Sequence, residues 1–186
     1  MVVSMKNVLY LLKQISPRLM IQISEKQITE ASSKSDFDLI TLFTDKYLTE
    51  IDSNLTTENM HKLTGYQHAL LAYRFFWEEV NHGGFVQLIQ NGYGGYIFDN
   101  PTAKAWKLFG ADKTAKIVYK AKEIFDANRE ELERETTDDE FHAMLVDFEV
   151  FDELEENYYA IEKQQTAVIA RYVDENRSLF AEIVES

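Results

Sequence analysis

The chain has 186 residues, 45% of them apolar, with twelve Phe, ten Tyr, no Cys and a formal net charge of −13. Such a content fills a core and argues against intrinsic disorder, and the missing thiols exclude disulfides, thiolate metal sites and cysteine nucleophiles. The negative charge disfavours direct binding to nucleic acid or to anionic lipid, because both repel it.

Only two Pro and seven Gly are present, and long stretches without either favour helices. Val8, Leu11, Leu12 and Ile15 stand at helical spacing, and Pro17 ends that segment. Lys6 and Lys13 interrupt the apolar start and no small-residue cleavage site follows, so no secretory signal is read there. No window reaches the roughly 18 apolar residues of a membrane helix. The expected location is the cytoplasm, with no membrane partner.

Residues 19–23 read as a short extended piece or a connection. Ser24 with Gln27 forms a capping box that opens a short helix through Ala31. Phe37, Ile40, Phe43, Tyr47 and Leu48 mark the next helix, capped by Ser35 or Asp36. Thr56 or Thr57 caps a short helix ending near Gly65. The most regular N-terminal helix covers 66–80, where Tyr66, Ala69, Leu70, Tyr73, Phe76, Trp77 and Val80 keep the three-four rhythm of a core helix. It stops at Asn81-His82-Gly83-Gly84, and a helix restarts at Phe85 and closes at Gly92. Residues 93–96 read as irregular.

Asn100-Pro101 reads as N-cap and first helical residue. Asp112 caps the next helix, whose buried face is Ile117, Val118, Ala121, Ile124 and Phe125. Its outer face carries Glu123, Asp126, Glu130 and Glu133. Thr137 with Glu140 is a second capping box. Phe141, Met144, Leu145, Phe148, Phe151, Leu154, Tyr158 and Ile161 carry an apolar stripe, broken at most once, that Val168, Ile169, Tyr172 and Val173 continue. Leu179, Phe180 and Ile183 close the chain. No alternating strand is read. The expected fold is all-α, a compact domain of about eight to ten short helices.

The charge is unevenly placed. Residues 123–162 hold sixteen carboxylates and only Arg129 and Arg134, a net −14, while the rest of the chain is close to neutral. Carboxylates three and four apart on a helix are about 5–6 Å apart at Cβ. That is of the order of the phosphate spacing along a DNA strand. Interleaved lysines would bring small i,i+4 gains, and here they are nearly absent.

The run Glu79-Val80-Asn81-His82-Gly83-Gly84-Phe85-Val86-Gln87 resembles the E-V-N-x-G-G-F-x-Q core of a bacterial family of small acidic helical proteins. That family was first catalogued as a domain of unknown function and is typified by a DNA-mimic protein. Phe109-Gly110-Ala111 is similar to its helix junction, and Phe151-Asp152-Glu153-Leu154-Glu155 to its acidic-aromatic segment. The resemblance covers roughly residues 57–182. It divides the chain into an N-terminal helical extension, 1–56, and a DNA-mimic-like helical part, 57–186, expected to run on as one domain.

The resemblance implies a non-enzymatic, homodimeric protein that presents carboxylates in place of DNA phosphates. Its partner would be a basic DNA-binding protein, such as a transcription regulator or a nucleoid protein. The partner-binding residues would be Glu123, Asp126, Glu130, Glu131, Glu133, Asp138, Asp139, Glu140, Glu149, Asp152, Glu153 and Glu156. Glu79, Asn81, Gly83, Gly84, Phe85 and Gln87 would be structural.

Plainer readings compete. The acidic tract can be a solvated face on a helical scaffold or peptide-binding module, with an apolar groove near 93–98. The Asn81–Gly84 turn lacks a nucleophile–base pair and reads as a helix-to-helix bend, with Asn81 and Gln87 holding loose backbone groups and Phe85 plugging the core. Glu79-x-x-His82 lacks the second copy that a di-iron bundle needs. His61 and His68 are too far apart for an i,i+4 zinc pair. No catalytic residue, metal or cofactor is expected.

Overall fold

Side-chain caps set where several helices begin. The computed structural model describes residues 21–53 and 55–185, so the helix expected over 8–15 lies outside the described residues. The capping box at the start of α1 (Glu25–Ser32) forms as expected: the Gln27 N–H donates to the Ser24 hydroxyl at 3.2 Å, and the Ser24 N–H donates to the Gln27 side chain at 3.0 Å. Ser35 caps α2 (Asp36–Glu50), accepting from the Asp38 N–H at 2.9 Å. Instead of a capped helix after Thr56 there is one 3-10 turn, Met60–Lys62. Asn59 accepts from the Thr56 N–H at 2.8 Å, the reach-back half of a capping box, but only a single turn follows it.

The remaining helices are α3 (Gly65–Gln90), α4 (Gly94–Phe98), α5 (Thr102–Leu108), α6 (Asp112–Ala127), α7 (Arg129–Leu132), α8 (Asp138–Asp147), α9 (Asp152–Tyr159) and α10 (Glu162–Glu175). The fold is all-α as expected, with ten α-helices among the described residues. One small departure is a parallel pair of three-residue strands, β1 (Gln22–Ser24) and β2 (Glu182–Val184), in register Ile23 to Ile183. Three residues are too few to show an alternating pattern, and the partner is far away in sequence.

The chain divides into two units, one of residues up to Arg74 with those from Thr166 on, the other Phe75–Gln165. In the first, the buried ring of Phe180 meets Phe43, Tyr66 and Tyr172 edge-on at 5.9–6.3 Å. Its carbonyl accepts two side-chain donors, the Tyr47 hydroxyl at 3.1 Å and the Gln67 amide at 3.0 Å. A buried carbonyl without a partner is costly, so these bonds fix the turn that leads into β2.

In the second unit the core is aromatic: Phe76, Phe85, Trp106, Phe125 and Phe151 are each at most 1% exposed. Helix α5 packs on α6, and α6 on α9. Residues 93–96, expected to be irregular, contain the start of α4. A side chain at Gly94 would crowd the Phe125 ring at 3.0 Å, so glycine permits α4 to lie this close. Asn100 closes α4 rather than opening α5, its amide donating to the Tyr96 carbonyl at 3.1 Å, and Pro101 is the residue before α5. Asp112 is the first residue of α6 and does not cap it. That role falls to Gln165, whose side-chain oxygen accepts from the N–H groups of Lys113 at 3.2 Å and Thr114 at 3.3 Å.

Removing one of the two donors to the Phe180 carbonyl tests its role. Tyr47→Phe is expected to lower unfolding stability by about 1–2 kcal/mol, read from urea denaturation. A loss no larger than that of an exposed Tyr119→Phe control would show that this bond does not hold the turn.

Candidate functional site

Helix α3 breaks where the sequence places two glycines. Gly83 and Gly84 have non-helical backbone, with Gly84 at φ 78° and ψ −168°, a region that side-chain-bearing residues avoid. A helix break leaves carbonyls unpaired on one side and N–H groups on the other. Helix α9 supplies one partner on each side. The Glu155 carboxylate accepts from the Phe85 N–H at 2.8 Å, and the Tyr159 hydroxyl donates to the Val80 carbonyl at 2.8 Å. Glu155 and Tyr159 are four apart, on one face of α9.

The other residues of the run close the joint. Glu79, before the break, accepts from the side-chain amides of Gln87 at 3.0 Å and Asn91 at 2.8 Å, both after it. Gln87 therefore bonds a carboxylate, not the backbone group expected of it. Asn81 does hold a backbone group, donating to the Trp77 carbonyl at 2.7 Å. A Cβ on Gly83 would overlap the Gln87 side chain, and one on Gly84 the Glu155 carboxylate. Phe85 is fully buried, stacked on Phe151 at 5.3 Å. The Glu79–Gln87 and Phe151–Glu155 stretches, far apart in sequence, thus meet at one place.

Burial holds the Glu155 carboxyl above the ordinary carboxylate range; the Phe85 N–H opposes that shift and the Asp152 charge adds to it. The folded state therefore binds this proton more readily than the unfolded chain. Ionisation of Glu155 weakens folding at neutral pH, and that effect fades as pH falls through the folded value.

All twelve carboxylates expected to bind a partner are exposed, but they are not equivalent. The expected row Glu123, Asp126, Glu130 and Glu133 does not ride on one helix: Asn128, at φ −131° and ψ 23°, separates α6 from α7. Arg129 forks onto Asp99 at 2.6 and 2.9 Å, reaches Asp126 at 3.5 Å and Glu133 at 3.9 Å, and lies over the Phe125 ring. Lys122 bonds Asp126 at 2.9 Å. Arg134 bonds Glu131 at 2.7 Å and Glu140 at 3.4 Å. The Arg129 hydrogen bonds hold the Asp99 carboxyl below the ordinary range. So this part of the tract is partly neutralised from within: Asp126, Glu131, Glu133 and Glu140 hold bases of the same chain.

The other part is not. Glu149, Asp152, Glu153 and Glu156 lie on the 3-10 turn Glu149–Phe151 and on α9 at helical spacings of three and four, and no base stands among them in the sequence. None forms an ion pair among the described residues. Each like-charge i,i+4 pair costs a few tenths of a kcal/mol. Asp152 and Glu153 sit in the first turn of α9, and Asp138 and Asp139 in that of α8, where the helix dipole favours negative charge and offsets part of the repulsion. The Thr137–Glu140 capping box forms as expected.

The apolar stripe breaks twice, at Phe148 and after Tyr159, so α8, the 3-10 turn and α9 turn separately. Met144, Phe148, Phe151, Leu154 and Tyr158 face inward, whereas Leu145, expected to be buried, is 36% exposed. Val146 and Val150 are more exposed still, and the sequence reading gave them no role. Their signal was available: both lie off the three-four rhythm of the buried stripe. Ile97 and Phe98 are buried, and the Tyr93 ring lies tilted against Phe75 at 4.6 Å, so the apolar side chains of this stretch are at least partly covered. An open groove of about 680 Å³ lies between Gln87, Gln90 and Asn91 on one side and residues 133–138 with Phe141 on the other. Gln90 spans it, donating to the Leu132 and Arg134 carbonyls and accepting from the Thr136 hydroxyl at 2.7 Å. Among the described residues, no group of three His, Asp or Glu side chains is arranged to hold a metal ion, and no helix is long and apolar enough to cross a membrane.

Residues 61–176 match the model of the DMP19-like protein family. The chain is also 32% identical, over 129 residues, to a protein of Neisseria meningitidis serogroup B named DNA mimic protein DMP19. That alignment covers 68% of this chain and 77% of the relative.

The break can be tested by comparing two glycines. Gly84 and Gly92 both have positive φ, but only Gly84 has a neighbour where a Cβ would go. Gly92→Ala is expected to cost about 1 kcal/mol for the backbone alone, and Gly84→Ala distinctly more; equal losses in denaturant would refute the overlap with Glu155. For the carboxyl itself, Glu155→Gln keeps an acceptor for the Phe85 N–H. It should be at least as stable as the native chain at neutral pH, with the difference shrinking on acidification. A Glu155 titration by NMR at or below the ordinary carboxylate range would contradict this.

Proposed function

This chain belongs to the DMP19-like protein family, and we propose that it works without catalysis, as a DNA mimic. In this reading its exposed carboxylates take the place of DNA phosphates toward a basic DNA-binding protein, a transcription regulator or a nucleoid protein, and compete with DNA for it. The observation that carries the reading is the row Glu149, Asp152, Glu153 and Glu156: four exposed carboxylates on adjoining helical turns, left without a countercharge. Charges held that way concentrate a negative field that attracts a basic surface.

The geometry also ranks the acidic residues. Asp126, Glu131, Glu133 and Glu140 already hold Arg or Lys of the same chain. A partner's base must displace those pairs or share the carboxylates. Glu149, Asp152, Glu153 and Glu156 carry no such competition, so they contribute most, with Glu123, Glu130, Asp138 and Asp139 extending the face. The name of the Neisseria relative supports the same reading. We take the acting form to be a homodimer in the cytoplasm; sedimentation equilibrium tests the dimer.

The test is capture of DNA-binding proteins from the source cell in low salt, followed by elution with duplex DNA. Binding should weaken steeply with salt, as expected where several ion pairs form at once. Neutralising the unpaired row (Glu149→Gln, Asp152→Asn, Glu153→Gln, Glu156→Gln) should reduce capture by more than tenfold. Neutralising Asp126, Glu131, Glu133 and Glu140 should have the smaller effect. A complex indifferent to salt and not displaced by DNA would refute the mimicry.

A further inference from the structure

We propose that the acidic face holds an apolar anchor, the ridge of Leu145, Val146 and Val150, and that its occupant is a basic amphipathic helix of the partner protein. The inference rests on the reading of this face as a docking surface for a basic partner and specifies what else that partner must carry. Val146 is 71% exposed, Val150 55% and Leu145 36%. Val146 is the next-to-last residue of α8, and Val150 lies in the 3-10 turn that follows, four residues on.

Val146 lies mostly outside the core, and Leu145 and Val150 are only partly covered. Met144, Phe148 and Phe151 fill the inward positions of the same segment, and a β-branched residue on an exposed helix position is a poor choice for helix stability. Their setting is the least neutralised part of the molecule. Asp147, Glu149, Asp152 and Glu153 are all exposed and adjoin the ridge in sequence, and no Lys or Arg occurs between Arg134 and Lys163.

An apolar ridge rimmed by carboxylates is complementary to a helix with an apolar stripe flanked by lysine or arginine. It is not complementary to a bare polycation, which has nothing to bury against valine. Duplex DNA presents a comparable alternation to a recognition helix, since the thymine methyl group lies in the major groove between the rows of phosphates. The ionic contacts then supply attraction over distance and the apolar contact supplies a part of the binding that salt does not screen.

Two helical peptides of about 18 residues, five turns, serve as probes: one with lysines flanking a leucine stripe, the other with the same lysines and an alanine stripe. Binding to the full chain is followed by fluorescence anisotropy across a salt series. The leucine peptide is expected to bind roughly tenfold more tightly than the alanine peptide at every salt concentration. The double variant Val146→Ser, Val150→Ser should erase that gap while leaving the salt slope unchanged. Neutralising Glu149, Asp152, Glu153 and Glu156 should lower the slope and preserve the gap. Circular dichroism checks that both variants are folded. A gap that survives in V146S/V150S overturns the anchor alone, whereas failure of both peptides to bind at low salt overturns the acidic docking surface itself. Self-association of the native chain that V146S/V150S abolishes, with peptide binding untouched, assigns the ridge to a second copy and also overturns the proposal.

Discussion

The bond from the Phe85 N–H to the Glu155 carboxylate is the contact on which the acidic half of the molecule depends. A helix interrupted at Gly83 and Gly84 must find partners for the groups it uncovers. Glu155 and Tyr159 give those partners from one face of α9, and by doing so they fix where that helix lies. The opposite requirement holds as well. Helix α9 is short and crowded with like charges, so propensity alone would not hold it. Its docking onto the break, with Phe151 stacked on Phe85 and Leu154 and Tyr158 buried, supplies the stability its charges take away.

One carboxylate is therefore consumed in making the fold so that its neighbours remain outside it. Glu155 is half-buried and held above its ordinary range, while Asp152, Glu153 and Glu156 of the same helix are exposed. The distinction follows from helical geometry: Phe151, Glu155, Tyr158 and Tyr159 meet α3, Leu154 is buried beside them, and the acidic positions between point away. A rigid helix presenting carboxylates at about 5–6 Å intervals differs from a disordered acidic tail, because its charges need not be ordered when a partner arrives.

The bases divide the acidic tract into two electrostatic regions. Around Arg129, three carboxylates including Asp99 gather on one guanidinium, and Lys122 joins them. Exposed pairs of this kind are individually weak, yet together they pin α6, α7 and the end of α4. From Glu149 to Glu156 nothing comparable exists among the described residues. Next to that bare stretch in the chain stand Val146 and Val150, the most exposed of the large apolar side chains among the described residues.

Much of this was legible in the amino-acid order. The helical class, the capping boxes at Ser24 and Thr137, the bend at Gly83-Gly84 and the charge excess of residues 123–162 all rest on interactions reaching no more than about four residues along the chain. Such interactions are encoded by local spacing. The resemblance carried by residues 79–87 also pointed to the family. What the order could not reveal was which groups meet across long separations: Gln165 capping α6, Asp99 taking Arg129, Ile23 pairing with Ile183, Glu155 reaching Phe85. Periodicity placed Leu145 inside, and it is at the surface, because Met144 and Phe148 take the inward line of that segment and Leu145 falls beside it. A carboxylate's spacing says that it is near its neighbours on the helix. Whether it ends as a fold-making cap, half of an ion pair or an unclaimed charge is decided by what the rest of the chain brings beside it.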